Sequence, residues 1–472
     1  MLLIRDRKSS TAAAARFEQH LETIAEVFDG KLSPLELHAR KLEDTLAAAA
    51  KVPLYADWLP MLLEQGIANR PLESLLNSIP LLGKRDWGDH SYAAFAQPIH
   101  EFLHYYETSG TTGPASAAPK ALDDLIVNTT NVGEMWARLL TPTDVALILI
   151  TAPLGPAPYQ FEKVFEYLGI MSLKPWVDYI DGDYTKVLDL IDKLSVNVFV
   201  GAPSRLLALI QFAVQHGRRR PKFDHLFLIG EQTGPAQLRH LSRLTGACAH
   251  VGSYGSSETG TIAATCEHDQ LHLQVQSFVL ELLDERGPRL VDGSADNGEL
   301  VVTTLDLPSR PLLRYRTGDL VEIDDKSCAC GLALPVVRTQ GRMQDVLAMP
   351  GGTVRQEDLE AALWSDMDPG PIVLNYMLLV RGSMITCMVT TDQPPNHTWA
   401  SETARRISPF FPTHRILVQP VPTLSPLASL SGDLGWKLSR VLDLDDAKAW
   451  DRLPRPIRQL SAALFDELGK RT

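Results

Sequence analysis

The pattern of apolar and polar positions predicts a helical start to the chain. From about residue 13 to residue 65, Ala, Leu, Glu and Lys dominate and apolar positions recur every three to four residues, which is typical of amphipathic helices. Leu35, Leu37, Leu42 and Leu46 form part of one such face. We interpret this face as core packing and assign it no chemistry.

From residue 122 onward the pattern predicts alternating helices and strands. Helices are predicted at 122–140, 163–169, 185–194 and 203–215, and buried strands at 144–150, 196–200 and 225–229. Such an alternation is typical of βαβ units with a parallel sheet. Residues 261–265, 271–283, 298–305 and 320–324 alternate instead like antiparallel strands. The expected fold class is therefore α/β, with a β-rich subdomain after the parallel sheet.

Composition and charge narrow the class of protein. A length of 472 residues predicts two or three domains. The net charge of −12 offers no field for nucleic acid or an anionic membrane, so we expect neither partner. No apolar run reaches about 18 residues and no signal-peptide pattern opens the chain, so we expect a cytoplasmic protein. Five cysteines in so long a chain predict reduced thiols rather than a disulfide framework.

One loop combines glycines with hydroxyl side chains in the way that phosphate-binding loops do. Its backbone N–H groups and hydroxyls could surround phosphate oxygens, and no lysine is embedded in it. The alternative is a surface loop. The residues concerned are Thr108, Ser109, Gly110, Thr111, Thr112 and Gly113.

Further loops lie where predicted strands end, which is where open α/β sheets bind ligands. They are 201–204 and 230–234, the second being the stronger candidate. A third glycine-rich loop, 252–260, contains Glu258, whose carboxylate could hold Mg²⁺ beside a phosphate or could instead cap a turn.

Four motifs together resemble those of the AMP-forming acyl and aryl ligases. Residues 108–113, 254–258, 315–319 and 341–345 occur in the order found in acyl-CoA synthetases and adenylation domains. Within that superfamily the chain is most similar to the phenylacetate–CoA ligase branch, because Cys328-Ala329-Cys330-Gly331 lies directly before Gly341-Arg342. The resemblance implies an N-terminal adenylation domain, residues 1–341, and a small mobile α+β domain, residues 342–472. A predicted strand near 346–349, helix at 357–364 and strand at 372–380 are compatible with such a unit.

The resemblance also implies the reaction and the residues that perform it. A carboxylic acid attacks the α-phosphate of ATP, pyrophosphate leaves, and a thiol captures the acyl adenylate. Catalysis is then mainly positional and electrostatic. The loop 108–113 would bind the β- and γ-phosphates and Glu258 would hold Mg²⁺. Tyr254 would stack on adenine beside Ser253, Gly255 and Ser256, with Glu231 and Gln232 at its edge, Asp319 on the ribose hydroxyls and Arg342 on ribose or phosphate.

The predicted catalytic residues are Lys437, Glu258 and Thr111. Lys437, in Gly435-Trp436-Lys437, resembles the adenylation lysine that bridges the carboxylate and the α-phosphate; the alternative is a solvated surface lysine. The hinge between the domains falls at Gln344, where relatives commonly have Asp or Lys.

A cluster of thiols and imidazoles predicts a structural zinc site. Cys266, Cys328 and Cys330 with one histidine would complete a closed tetrahedral set. We favour His272 and keep His268 open, because either can approach Cys266 in a hairpin. Unliganded buried cysteines are the alternative.

The predicted function is activation of a carboxylic acid. The expected substrate pocket contains Trp136, Tyr159, Gly230 and Gly255. The aromatic neighbours favour an aromatic acid. The acceptor is coenzyme A or the phosphopantetheine of an acyl carrier protein. An amine acceptor and a non-catalytic nucleotide-binding scaffold are the alternatives.

Overall fold

The structure is a computed structural model of the chain. It describes residues 4–67, 70–108, 115–150, 152, 154–177, 182–324, 327–342, 347–349, 352–365, 370–422, 424, 440–443 and 445. The chain divides into two compact units. Unit 1 comprises 1–144, 153–172 and 251–343, and unit 2 comprises 145–152, 173–250 and 344–472. The predicted domain boundary at residue 341 stays a prediction.

The helical start is confirmed, with one correction to its buried face. The Asp6 carboxylate caps the first helix by accepting from the Ser9 N–H at 2.7 Å. Leu37, Leu42 and Leu46 are buried as predicted, whereas Leu35 is 58% exposed because it lies in the first turn, beside the N-terminal Pro34. The helices are Arg7–Phe28 (α1), Pro34–Ala49 (α2), Leu59–Glu64 (α3), Leu72–Asn77 (α4) and Lys84–His90 (α5), with 3₁₀ turns at Pro53–Tyr55, Ser91–Ala94 and Ile99–Glu101.

Helices and strands then alternate along the chain, and five of these strands form a sheet of order β2-β1-β3-β4-β5. β1 pairs with β3, and β3 with β4, in parallel, as the apolar runs predicted. The strands are Val145–Leu149 (β1), Met171–Leu173 (β2), Val198–Gly201 (β3), His225–Leu228 (β4) and Cys248–Val251 (β5). The helices are Leu122–Trp136 (α6), Ala157–Leu168 (α7), Thr185–Leu194 (α8), Pro203–Gln215 (α9) and Pro235–Thr245 (α10).

Unit 1 contains an eight-stranded sheet of order β10-β9-β11-β12-β13-β8-β7-β6. Its strands are Ser253–Ser256 (β6), Gly260–Thr265 (β7), Leu271–Leu273 (β8), Phe278–Asp284 (β9), Gly287–Leu290 (β10), Asp296–Thr304 (β11), Tyr315–Asp324 (β12) and Val336–Arg342 (β13). The single strand predicted at 271–283 is wrong. It is two strands, because β8 pairs with β7 and β13 whereas β9 pairs with β10 and β11.

The last part of the chain adds a small mixed sheet of order β18-β17-β16-β19. β16 and β17 are antiparallel, while β18 and β19 each join an edge in parallel. The elements are Leu347–Met349 (β14), Gly352–Val354 (β15), Gln356–Leu363 (α11), Val373–Arg381 (β16), Met384–Thr391 (β17), His397–Ile407 (α12), a 3₁₀ turn at Ser408–Phe410, Arg415–Pro420 (β18) and Val441–Asp443 (β19).

The five-, eight- and four-stranded sheets confirm the predicted α/β class, with a parallel sheet, a larger antiparallel sheet and a smaller mixed sheet. β14 and β15 form a separate two-stranded sheet. The side chains of the parallel sheet are buried; Phe199, Leu226 and Leu228, for example, are each 0% exposed. Buried on both faces, its strands read as continuous apolar runs. Among the described helices, none has the length and apolar character that a membrane span requires.

We expect His38 to make unit 1 sensitive to acid. His38 is buried and its Nε2–H donates to the carbonyl oxygen of Val275 at 2.6 Å. Burial lowers the pKa of His38 to about 4. In the unfolded chain His38 binds a proton near pH 6.5, whereas in the folded chain it stays neutral until about pH 4. The free energy of unfolding therefore falls as the pH drops from 6.5 to 4. The replacement His38→Gln keeps a donor and removes this titration.

The His38→Gln protein should therefore lose about 3 kcal/mol less unfolding free energy than the wild type between pH 7 and pH 4. Urea denaturation at both pH values measures the difference. His90→Gln is the matched control, since His90 is exposed and bonds only a helix carbonyl. If the wild type and His38→Gln lose the same unfolding free energy between pH 7 and pH 4, the prediction is contradicted.

Candidate functional site

A tight hairpin brings the 253–258 motif to one edge of the large sheet. β6 pairs with β7 through a register shift between Tyr254 and Gly255. A side chain at Gly255 would meet the Gly260 carbonyl oxygen, 2.1 Å from the Cβ position, so only glycine fits there. Gly260 has a φ of +76°. The local sequence thus folds into a sharp bend that presents Ser256, Ser257 and Glu258.

Tyr254 and Asp319, which are distant in sequence, meet on this sheet. The Tyr254 hydroxyl donates to Oδ2 of Asp319 at 2.9 Å. The Asp319 N–H donates to the Thr317 hydroxyl at 3.1 Å, which fixes the strand beneath it. Arg342 lies opposite Asp319 in the register of β12 and β13. The structure therefore brings together Tyr254 and Asp319, predicted for the adenine ring and the ribose, whereas Glu231 and Gln232, predicted for the adenine edge, belong to unit 2.

Glu258 lies at the end of the same hairpin and is 5% exposed. Its Oε1 accepts from the Tyr315 hydroxyl at 3.4 Å, and Tyr315 belongs to the motif that contains Asp319. Within the described part of the chain, no ion pair involves the Glu258 carboxylate. A carboxylate oxygen in this state is a suitable hard ligand for Mg²⁺, which fits the predicted role.

Two buried cations and a second buried carboxylate surround Glu258. Burial lowers the pKa of Lys120 to about 8, while Asp124 and Glu258 act to raise it. Burial also lowers the pKa of Arg310 and raises those of Asp124 and Tyr315. The sequence alone assigns no role to Lys120, Asp124 and Arg310. The available signal is the four-residue spacing of Lys120, Asp124 and Asn128 in the first half of α6 and its N-terminal flank.

The base of the predicted phosphate loop is pinned by backbone hydrogen bonds. The Thr108 N–H donates to the Ser116 carbonyl at 3.0 Å, and the Ser116 N–H donates to the Thr108 hydroxyl at 2.9 Å. Thr108 is thus placed at one end of the loop. The remaining predicted residues lie outside the described part of the chain, namely Ser109, Gly110, Thr111, Thr112 and Gly113.

Unit 2 holds the predicted residues at the end of β4. Gly230 has a φ of +80°, which turns the chain after the strand. The Glu231 carboxylate accepts from the Ser204 N–H at 3.1 Å and from the Ser204 hydroxyl. It therefore caps the start of α9, where a negative charge is favourable. Gln232 follows it in the same loop.

The two aromatic residues predicted for the substrate pocket differ in exposure. Trp136 is 0% exposed, stacks on Phe161 and donates its indole N–H to the Gly252 carbonyl at 3.1 Å. Tyr159 is half-buried and packs on His104, with ring centroids 4.3 Å apart. Trp136 thus holds the backbone just before β6 through its hydrogen bond to Gly252. The pocket assignment of both residues remains a prediction.

Lys437 and Gln344 lie outside the described residues, so the predicted catalytic lysine and hinge residue remain predictions. Arg440, three residues after Lys437, is described and buried. Its guanidinium donates to the Tyr376 carbonyl at 2.9 Å and lies over the Tyr376 ring.

The structure groups Cys266, His272, Cys328 and Cys330, whose ligand atoms all lie within 4.8 Å of one another. The Sγ atoms of Cys266 and Cys328 are 3.7 Å apart, and Cys330 Sγ is 3.3 Å from His272 Nε2. Tetrahedral zinc bonds of about 2.3 Å to sulfur and 2.0–2.1 Å to nitrogen require separations of roughly 3.5–3.8 Å. The donor set therefore fits zinc.

The surroundings of this group also suit a metal. His272 is buried and its Nδ1–H donates to the Leu334 carbonyl at 3.1 Å, which leaves Nε2 free to ligate. Burial lowers the pKa of His272, which favours the neutral ring. Arg138 donates to both Glu267 carboxylate oxygens and to the Cys330 carbonyl. From His268, the backbone N–H donates to Cys266 Sγ at 3.3 Å.

Comparison with known proteins agrees with this fold. No family model matches the chain. A phenylacetate–coenzyme A ligase of Thermus thermophilus is 27% identical over 349 residues, which is 70% of this chain and 74% of the relative. One from Aromatoleum evansii is 25% identical over 356 residues, covering 70% and 76%. A structure of 2-hydroxyisobutyryl-CoA ligase with 2-HIB-AMP, in the postadenylation state, has a TM-score of 0.69 at 18% identity and covers 92% of this chain and 91% of its own.

The fold is thus that of the AMP-forming ligases, which confirms the resemblance drawn from the motifs. Within that class, the sequence is similar to the phenylacetate–coenzyme A ligase branch.

We expect the protein purified without chelator to contain one zinc ion per chain, measured by elemental analysis. Cys330→Ala removes one of four ligands and should lose most of that zinc. Cys387→Ala is the matched control, because Cys387 is equally a free cysteine, buried in unit 2, and lies outside the group. Wild-type protein without zinc, or a Cys330→Ala protein that retains it fully, would contradict the assignment.

Proposed function

We propose that this protein activates a carboxylic acid with ATP, releases pyrophosphate and transfers the acyl group from the adenylate to the thiol of coenzyme A. The hydrogen bond between Tyr254 and Asp319 carries the proposal, together with Glu258 on the same sheet edge. These are the aromatic, carboxylate and metal-ligand positions that an adenylate site requires. The curated relatives named phenylacetate–coenzyme A ligase support the same reaction class.

The residues of unit 1 would bind and orient the nucleotide. The two Asp319 oxygens can accept from both ribose hydroxyls, and the Tyr254 ring offers a face for adenine. Mg²⁺, when bound, neutralises phosphate charge and orients the leaving pyrophosphate. Glu258 would hold that ion through its carboxylate, and residues 108–113 would surround the phosphates through backbone N–H groups.

Lys437 would act at the reacting atoms. Its ammonium group is a compact charge on a flexible stem, suited to bridging the substrate carboxylate and the α-phosphate. Stabilising the developing negative charge there lowers the barrier of the transfer. Gln344 would be the hinge about which the C-terminal part, 342–472, moves between the two half-reactions.

The substrate that we propose is an aromatic acid. Tyr159 and His104 are half-buried and pack together with the buried Tyr106, which precedes the predicted phosphate loop in the chain. Aromatic walls favour a ring through offset or edge contacts. Coenzyme A is our first choice of acceptor, with carrier-protein phosphopantetheine as the second.

The direct test is isotope exchange between pyrophosphate and ATP with a panel of aromatic and short aliphatic acids. We expect exchange with at least one aromatic acid and, on addition of coenzyme A, formation of its thioester. ATP binding without exchange for any acid would favour a nucleotide-binding scaffold. If exchange occurs but an acyl product forms only when an amine is added, the acceptor is an amine and not a thiol.

Lys437→Ala serves as the chemical control for that exchange. We expect at least a hundredfold loss of adenylation with ATP affinity unchanged, because only the developing charge loses its partner. Full adenylation by Lys437→Ala would refute the role of this lysine while leaving the reaction class intact.

The Asp319 assignment can be tested by ATP affinity. Asp319→Ala removes both ribose acceptors and should raise the Kd for ATP at least tenfold, measured by calorimetry. Tyr254→Phe is the matched control, because it deletes the hydroxyl bound to Asp319 but keeps the ring and the carboxylate. Its effect should stay below about threefold. Equal Kd values for wild type and Asp319→Ala would exclude the ribose contact.

A further inference from the structure

Two buried cations donate to the backbone carbonyl groups of consecutive residues, Ser257 and Glu258. Lys120 Nζ donates to the Ser257 carbonyl oxygen at 2.9 Å. Arg310 Nη2 donates to the Glu258 carbonyl oxygen at 2.6 Å. Lys120 is 4% exposed and Arg310 is 1% exposed. The two side chains therefore hold consecutive carbonyl groups from different parts of the chain.

Burying these two cations lowers the stability of the fold. Removing a cation from water costs several kcal/mol, and one carbonyl contact offsets only part of that. Within the described part of the chain, Arg310 Nε and Nη1 have no hydrogen-bond partner, and neither has Asp124 Oδ1. Apolar side chains of similar volume would pack there at lower cost. Local choices that oppose stability are typical of functional sites.

The same segment is held at its other end by α6. Asn128 Oδ1 accepts from the Thr261 N–H at 2.9 Å, while its Nδ2 donates to the Asp124 carbonyl at 2.8 Å. Lys120, Asp124 and Asn128 follow one another at intervals of four, so they lie along one side of the helix and its N-terminal flank. One helix thus fixes both ends of the segment 257–261.

Within that segment the backbone has little room to move. Gly260 adopts a φ of +76°, and the Asn128 oxygen lies 2.1 Å from its Cβ position. The Thr259 N–H donates to the Ser256 hydroxyl at 3.2 Å. Glu258 lies between these fixed points, and its carboxylate accepts from Tyr315. The direction of the Glu258 side chain is therefore set by contacts to its neighbours' backbone.

We propose that Lys120 and Arg310 are positioning residues that hold the Ser257–Glu258 backbone so that the Glu258 carboxylate is aimed at the divalent cation accompanying ATP. The inference rests on the proposed function, in which Glu258 is the cation ligand. A carboxylate that is already fixed binds a cation more tightly, because no ordering cost remains at binding. Mg²⁺ benefits in particular, since it demands near-ideal geometry.

Positioning and simple charge repulsion predict opposite signs. Lys120 and Arg310 are positive, so by charge alone their removal would strengthen binding of a divalent cation. If they act by positioning, removal weakens it. The sign of the change in cation affinity therefore separates the two roles.

The experiment measures the Kd of ATP by calorimetry, once in excess Mn²⁺ and once in EDTA, and takes the ratio of the two. Lys120→Met should lower the metal-dependent gain in affinity about tenfold and leave the Kd in EDTA unchanged. Arg310→Lys, which keeps the charge but loses the forked donor, is the second variant and should lower the gain in the same direction. Faster amide hydrogen exchange at residues 257–261 should accompany both.

Lys41→Met is the matched control. Lys41 is a largely buried lysine of the same unit whose Nζ donates to the Gln276 carbonyl at 2.9 Å and pairs with Asp306. Its loss should destabilise the fold comparably without changing the metal-dependent gain. Circular dichroism and Tm identify any variant that does not fold, in which case Arg310→Lys decides.

Glu258→Gln separates failure of this inference from failure of the proposed function. If Glu258→Gln lowers the gain and the folded Lys120 and Arg310 variants equal or exceed the wild type, the positioning role is overturned alone. If Glu258→Gln leaves the gain unchanged, the metal role of Glu258 fails and the positioning role falls with it. Wild-type protein that binds no ATP would overturn the proposed function itself.

Discussion

The Ser257–Thr261 segment is held by hydrogen bonds from three side chains in two distant parts of the chain. Lys120 and Asn128 reach it from α6 and its flank, and Arg310 reaches it from the loop before β12. Everything proposed for the nucleotide depends on this anchoring, because Glu258 lies inside the segment and Tyr254 lies on the strand that leads into it. A rigid backbone here converts a short glycine-rich hairpin into a site with fixed side-chain directions.

Helix α6 connects this segment to the cysteine group. Its N-terminal flank contacts Ser257, its middle contacts Thr261, and its last turn donates from Trp136 to Gly252. Arg138, just beyond the helix, bonds Glu267 and the Cys330 carbonyl. A metal at the cysteine group would therefore stabilise the far end of the same helix that fixes the hairpin.

Buried charged groups would serve the proposed nucleotide site, but they lower the stability of the fold. Lys120, Asp124, Glu258 and Arg310 lie together out of water, and part of their hydrogen-bonding capacity is unused among the described residues. Arg314 shows the contrasting case, because all three of its guanidinium nitrogens donate hydrogen bonds, to Glu281 and to the carbonyls of Leu76 and Ile79. The second arrangement is what a purely structural buried cation looks like.

The sequence by itself determined the class of fold, because the apolar runs of the parallel sheet and the glycine-rich motifs are local patterns that each need only a few adjacent residues. It also indicated the chemistry of Tyr254, Glu258 and Asp319. The contact of Tyr254 on β6 with Asp319 on β12, strands that are not neighbours in the sheet, was decided by the tertiary structure. The break between Leu273 and Phe278 and the approach of His272 to Cys330 were decided by strand pairing. Lys120, Asn128 and Arg310 gave no local signal strong enough to assign them, because a single polar residue acquires its role only when folding brings a distant carbonyl or N–H within hydrogen-bond distance.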